Sequence, residues 1–227
     1  MKRLLRYGLA VLISYMPTNR LRCILYNLLL GYTVRRSRIG IGTIIATAAA
    51  KIEGASIGCG NKFTGPMSVQ ISSGANICKD NIFACGEWVL QAEFQECGYE
   101  CALILQENTL IADAHFFDLA GRFVLGKDSW IAGRGSQFWT HGAGVSDRNI
   151  AIGEGCYIGS AVRFAPGCQI SDNTLVAMGS VVTGKVEQPN LMIAGIPAKV
   201  IKENYDWKTR KSLTTSPTHS ENPSAIS

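Results

Sequence analysis

Residues 152–184 read IGEGCYIGSAVRFAPGCQISDNTLVAMGSVVTG, and a large apolar side chain returns at every sixth position: Ile152, Ile158, Phe164, Ile170, Val176 and Val182. A small residue follows at Gly153, Gly159, Ala165 and Ala177. This period fits neither the two-residue alternation of a half-buried strand nor the 3.6-residue turn of a helix. It describes a short strand and a corner, with one inward side chain per face. Three such faces close a triangular coil of eighteen residues. Gly or Asn at the corners tolerates positive φ. Stacked coils share one core and satisfy their backbone hydrogen bonds on neighbouring coils.

Upstream the same ruler runs through Ile39 and Ile45, misses at Lys51, and resumes at Ile57, Phe63 and Val69. After a shift of two it continues through Ile71, Ile77, Phe83 and Val89, then through Leu105, Ile111, Phe117 and Phe123. A second shift of two leads to Leu125, Ile131 and Gln137. The whole run predicts about seven coils over residues 39–185. It breaks twice. Gln91–Ile104 carries Glu93, Glu96 and Glu100 with no period, so an irregular or protruding segment is expected. Fifteen residues then separate Gln137 from Ile152, marking an inserted loop, Phe138–Ala151, that holds His141. Loops carried on rigid scaffolds are where function concentrates.

The chain has 227 residues, 47% hydrophobic and 17% charged, with 24 glycines and 7 prolines. That composition excludes a disordered or collagen-like chain. The net charge of +5 is unevenly placed. Residues 1–52 hold nine Lys/Arg and no acidic residue, whereas the remainder is mildly acidic, so the chain is not a general nucleic-acid binder. Eight cysteines in a chain this long do not make a disulfide scaffold. Cys97 and Cys101 are four apart, but no second pair follows at zinc-finger spacing, so free thiols in a reducing cytoplasm are expected.

Residues 1–38 form a basic arm. Its apolar run is about half a membrane span and lacks a small-residue cleavage pattern. Two amphipathic helices are predicted, over about 2–15 and 19–30, broken at Pro17 and capped by Thr18 or Asn19. The arm either packs on the body or makes a peripheral contact with an anionic membrane surface. Residues 186–205 read as a closing strand and helix, and 206–227, rich in Ser, Thr and Pro, as a disordered tail.

The quoted stretch, together with IAGIPAKVIK at 193–202 and LGKDSWIAGRGSQFWTHG at 125–142, resembles the hexapeptide-repeat acyltransferases, nearest their polysaccharide and sugar O-acetyltransferase branch. The resemblance covers residues 39–203. It implies a mainly β fold, a left-handed parallel β-helix with the helical arm before it and a short C-terminal helix after it. It also implies a homotrimer with active sites between neighbouring prisms, a carbohydrate acceptor, and acetyl-CoA as co-substrate with no metal. The general base in such enzymes is a histidine on an extended loop, and His141 matches it. For acetyl-CoA the resemblance points to Ser160, Ala161, Ala177, Gly179 and Thr183 along a groove. It places Pro197, Ala198, Lys199 and Lys202 near the adenosine end. Lys185 is displaced by one position from the family's Thr-Lys pair.

Acetyl transfer from a thioester to a hydroxyl needs a base, a donor for the tetrahedral oxyanion, and both substrates held in line. The chain has three histidines. His219 lies in the polar tail. His115, two residues before inward Phe117, either lines the acceptor face or is a hydrogen-bonded structural residue. The partner of His141 is Asp118, Asp147 or a backbone carbonyl. Trp139 either offers a flat face to a sugar or packs under the loop. Arg148 is placed to meet a carboxylated sugar or a neighbouring chain. The oxyanion donor is expected among the backbone N–H groups near Gly159–Ala161. A zinc hydrolyase on the same scaffold, like the gamma carbonic anhydrases, requires three histidines where the body has two. A non-catalytic scaffold and an N-acetyltransferase acting on an amino-sugar nucleotide stand as the alternatives.

Overall fold

The six-residue ruler becomes three faces of a prism in the computed structural model, which describes residues 2–209. The first face is built from the leading halves of Ile44–Glu53 and Lys62–Ile71, then Ile82–Ala84, Phe116–Asp118, Gln137–Phe138, Arg163–Phe164 and Val181–Val182. The second takes Thr33–Arg35, the trailing halves of the two long strands, Ala102–Leu105, Arg122–Leu125, Ile150–Ile152, Gln169–Ile170 and Lys185–Val186. The third runs from Arg38–Ile39 through Ser56–Ile57, Asn76–Ile77, Leu110–Asp113, Trp130–Arg134, Tyr157–Ile158 and Leu175–Val176 to Met192–Gly195. Each strand pairs in parallel with the strand one coil away, until Ala198–Lys202 folds back antiparallel on Met192–Gly195.

Behind the first face the inward side chains form one aromatic column. Phe63, Phe83, Phe117, Phe138 and Phe164 stack with successive ring centroids 4.4, 4.5, 4.6 and 5.0 Å apart. All five are fully buried. Gln137 was expected at the inward position of its coil, but Phe138 occupies it, opposite Phe117 and Phe164. A register shift between Ile131 and Arg134 adds the extra residue, and Gly133 and Gly135, at φ 69° and 76°, absorb it.

Two of the three corners are turned alike in every coil. Between the second and third faces one residue per coil is left-handed: Arg36, Gly54, Gly74, Asn108, Asp128, Gly155, Asn173 and Asn190. Between the third and first faces Gly42, Gly60, Asp80, Ala114, Gly135, Ala161 and Gly179 do the same. Inside this second corner runs a buried polar ladder. Asn81 N donates to Asn61 Oδ1 (3.0 Å), Asn81 Nδ2 donates to Ala112 O (2.8 Å), and Asn81 Oδ1 accepts from His115 N (2.9 Å). The corner between the first and second faces has no such repeat, and both breaks of the ruler fall there.

The first break both starts and ends earlier than expected. Residues 85–101 leave the prism through two 3-10 turns, Glu87–Leu90 and Ala92–Cys97, while Ala102–Leu105 is already a regular strand. Val89, expected on the ruler, is buried beneath the first of these turns instead. The second break spans residues 139–149, between Phe138 and Ile150.

The arm folds as helices Lys2–Ser14 (α1) and Asn19–Leu30 (α2). Thr18 caps α2 by accepting from Leu21 N at 3.2 Å, and Gly31 ends it in the left-handed conformation. The arm packs on the first coil and satisfies its open edge. Arg22 Nε donates to Ile39 O (2.9 Å), Tyr26 OH to Thr43 O (2.8 Å), and Ile39 N donates to Asn19 Oδ1 (2.7 Å). Coil pairing already begins at Thr33, opposite Lys51, so the prism starts before Ile39. At the other end the expected short C-terminal helix is replaced, among the described residues, by the antiparallel hairpin 192–202 and turns. Of the tail expected at 206–227, residues 206–209 sit on the prism, with Trp207 Nε1 donating to Gly155 O (2.8 Å). The remainder lies outside the described residues. All eight cysteines are free thiols.

If the polar ladder is what holds that corner closed, Asn81→Ala strands Ala112 O and His115 N without partners. The expected loss is roughly 2–4 kcal/mol in a urea titration, from two orphaned buried groups. A loss below about 0.5 kcal/mol would show that strand pairing alone holds the corner.

Candidate active site

The irregular corner gathers the polar chemistry. Asp118 ends a first-face strand, and Thr140 and His141 follow the next strand in the stack. Thr140 N donates to Asp118 Oδ2 (3.0 Å), and Thr140 Oγ1 donates to Asp118 O (2.8 Å) while accepting from Gly121 N (2.8 Å). This clamp aims the carboxylate outward, where His141 Nδ1 meets Asp118 Oδ2 at 2.7 Å. The carboxylate side chain is 9% exposed and the imidazole 40%. With Nδ1–H donating to the carboxylate, Nε2 keeps its lone pair at the solvent side, which is the tautomer a general base requires.

The excursion 85–101 supplies a wall. Trp88 lies 5.3 Å from the His141 ring and packs edge-on to Phe94 and Tyr99 at 5.1 and 5.0 Å. Arg148 joins the two breaks, its guanidinium 4.4 Å over Tyr99 and Nη1 donating to Cys97 O (2.9 Å). Next to Trp88, Glu87 enters a cavity of about 480 Å³ lined by Arg3, Arg6, Tyr7, Thr47 and Gly65.

Several expected residues are elsewhere. His115 is not an acceptor contact: it is 1% exposed and its Nδ1 accepts from Ser136 N (3.0 Å) as a rung of the polar ladder. Burial pushes its pKa down to about 4. Asp147 is not the partner of His141, because it pairs with Lys185 Nζ at 2.9 Å. That pair also engages Lys185, the lysine displaced from the family's Thr-Lys position. Arg148 is committed to Cys97 and Tyr99 rather than to an acceptor. Trp139 packs against Phe116 at 5.0 Å and keeps 37% of its surface exposed.

Ser160, Ala161, Ala177 and Gly179 line the regular corner between the third and first faces, and Thr183 sits on the His141 corner two coils further along. A side chain added at Gly179 would meet open space, so a thin chain can run along that edge. Gly159 N and Ala161 N already donate to Val176 O and Arg134 O, which removes both as oxyanion donors. Pro197 and Ala198 turn the closing hairpin with Lys199 exposed beside them. Lys202 lies 5.5 Å over Tyr205.

Two features escaped the sequence reading. Thr140 was overlooked because a buried hydroxyl beside a loop histidine has no spacing signal. Phe94 and Tyr99 were legible only as two aromatics in an aperiodic stretch, and Trp88 was hidden beside Val89 at the end of a ruler run.

No protein-family profile matches the chain. Galactoside O-acetyltransferase of Escherichia coli is 44% identical over 57 residues, which are 25% of this chain and 28% of that protein. The bifunctional protein GlmU of Geobacter sulfurreducens is 40% identical over 68 residues, 30% of this chain and 14% of that protein. The chain thus spans less than a third of either relative. Among solved structures, the polysialic acid O-acetyltransferase OatWY superposes with a TM-score of 0.57 at 19% identity, over 78% of this chain and 86% of that one. The chain is thus similar to these relatives over part of its repeat and to OatWY in fold. Its prism is the left-handed β-helix of those proteins. Within the hexapeptide-repeat fold, the His141–Asp118 pair stands on the one corner that the repeat leaves free.

The depressed pKa of His115 has a measurable cost. The unfolded chain binds a proton near pH 6.5 that the folded chain refuses until about 4. The stability is therefore intact above the upper value and is lost as pH falls through that window. Between pH 7 and 5 the loss expected from this residue is about 2 kcal/mol. Urea midpoints of the wild type should show that slope, and His115→Asn should flatten it.

Proposed function

We propose that this chain transfers an acetyl group from acetyl-CoA to a sugar hydroxyl of a surface polysaccharide or its precursor, with His141 as general base. The observation that carries the reading is the 2.7 Å contact of a half-exposed imidazole with a buried carboxylate anchored by Thr140 N. Acetyl-CoA supplies the activated acetyl thioester. His141 Nε2 takes the hydroxyl proton as the sugar oxygen attacks the carbonyl carbon. Asp118 fixes the ring and steadies the imidazolium that results. As the carbon–sulfur bond breaks, the same proton passes from Nε2 to the leaving thiolate. One site thus serves as base and then as acid, with no net proton gained.

Trp88 and the exposed face of Trp139 offer flat apolar surfaces beside the base, suited to the C–H side of a sugar ring. The edge at Ala161 and Gly179 suits the pantetheine arm, and Lys199 and Lys202 suit its phosphates. Ile196, Val200 and Ile201 are exposed on the closing hairpin, which supports burial between copies in a homotrimer. Eight free thiols support a cytoplasmic setting.

The test incubates purified protein with acetyl-CoA and a panel of glycans, following free thiol and locating the acetyl group by NMR. His141→Ala should lower turnover about 10²–10⁴-fold. Asp118→Asn should lower kcat by about 10²-fold with KM little changed, because it disturbs the tautomer and not the acceptor wall. Unchanged turnover in His141→Ala would sink the mechanism. An alkali-labile ester is the expected product, and a stable amide would assign the chain to N-acetylation of an amino sugar.

A further inference from the structure

Helices α1 and α2 are apolar on two opposite sides. Their inner sides seat Ala10, Ile13, Tyr26 and Leu30 in the core. Their outer sides carry Leu4, Gly8 and Leu12 on α1, with Tyr15 just past its end, and Leu21, Ile24 and Leu28 on α2, each set at helical spacing. Leu4, Leu12, Tyr15 and Leu28 are 80%, 63%, 63% and 75% exposed. A soluble helix normally presents charge there, and exposed apolar stripes of this kind mark an interaction face.

The arm's own charge is of one sign, and the body's Glu87 and Glu53 pair with Arg3 and Arg36. Residues 1–52 contain nine Lys/Arg and no Asp or Glu. Arg20, Arg35 and Arg38 are exposed and have no acidic partner among the described residues. A second copy seated on this face would bring basic residues against basic residues, which a symmetric contact cannot relieve. A surface of anionic headgroups over an acyl layer matches both the leucines and the arginines. Among the described residues no helix is long and apolar enough to cross a membrane, so the contact would lie on the bilayer rather than span it. The arm need not unfold to make it, because Arg22, Tyr26 and Asn19 anchor its inner side to the first coil.

We infer that the outer face of α1 and α2 docks the protein on anionic phospholipid, leucines at the acyl boundary and arginines on the headgroups. The inference is independent of the acetyl-transfer reading. Its test is co-sedimentation of the full chain with vesicles of mixed phosphatidylglycerol and phosphatidylcholine, against vesicles of phosphatidylcholine alone. The wild type should pellet with the anionic vesicles and be released by salt. Leu12→Asn combined with Leu28→Asn should weaken binding about tenfold or more. Should that variant fold poorly, Arg20→Gln with Arg38→Gln, at exposed positions, should remove the preference for anionic lipid. No association of the wild type with anionic vesicles, or equal association with neutral ones, overturns the inference. So does a change in particle mass of the leucine variant by light scattering, which would assign the face to a second copy.

Discussion

Everything in this molecule depends on keeping successive coils in register. Each coil contributes one inward side chain per face, and a slip of a single residue would turn that side chain to solvent. The column of five phenylalanines shows how tightly the register is held, with every ring seated on the next at 4.4–5.0 Å. Two corners serve that register with a left-handed residue in every coil, and one of them adds a ladder of buried amides and hydroxyls. The third corner is under no such obligation. It is consequently the only place in the described coils where long excursions leave the prism, and both of them contribute to the site.

That division explains the character of the His141 environment. The carboxylate belongs to a strand end and inherits the rigidity of the stack. The imidazole belongs to a loop and gains its position from one short contact plus the Trp88 face. Arg148 makes the arrangement more than two adjacent loops. By bonding Cys97 and covering Tyr99, it makes each excursion a support for the other. An imidazole held this way is fixed at one nitrogen.

Most of the prism was legible because its inward residues obey a strict count. The ruler placed Phe63, Phe83, Phe117, Phe123 and Phe164 correctly, and it failed at Gln137 because a bulge at two glycines is invisible to a counting rule. His141 was legible as a histidine in an insertion. Its partner was not, since Asp118 and Asp147 look alike in sequence and only the strand register brings the first within reach. His115 was left between two readings for the opposite reason. A histidine beside an inward phenylalanine resembles a site residue, yet the corner ladder needs an acceptor there and the imidazole supplies it. The arm's contact with the first coil was one of two readings, and Arg22 makes that contact by donating to Ile39 O from a buried position, which leaves the outer face of the arm free of it.

The freedom of the third corner bears on how such a protein changes over time. Lengthening or recomposing residues 85–101 shifts no inward side chain, because the chain leaves the prism and returns to the same register. The thermodynamic penalty is then mainly loop closure, which grows by only about 0.6 kcal/mol for each doubling of loop length. The surroundings of His141 can therefore be recomposed while the stacked core keeps its register. In this architecture, coil register and loop composition are separately heritable.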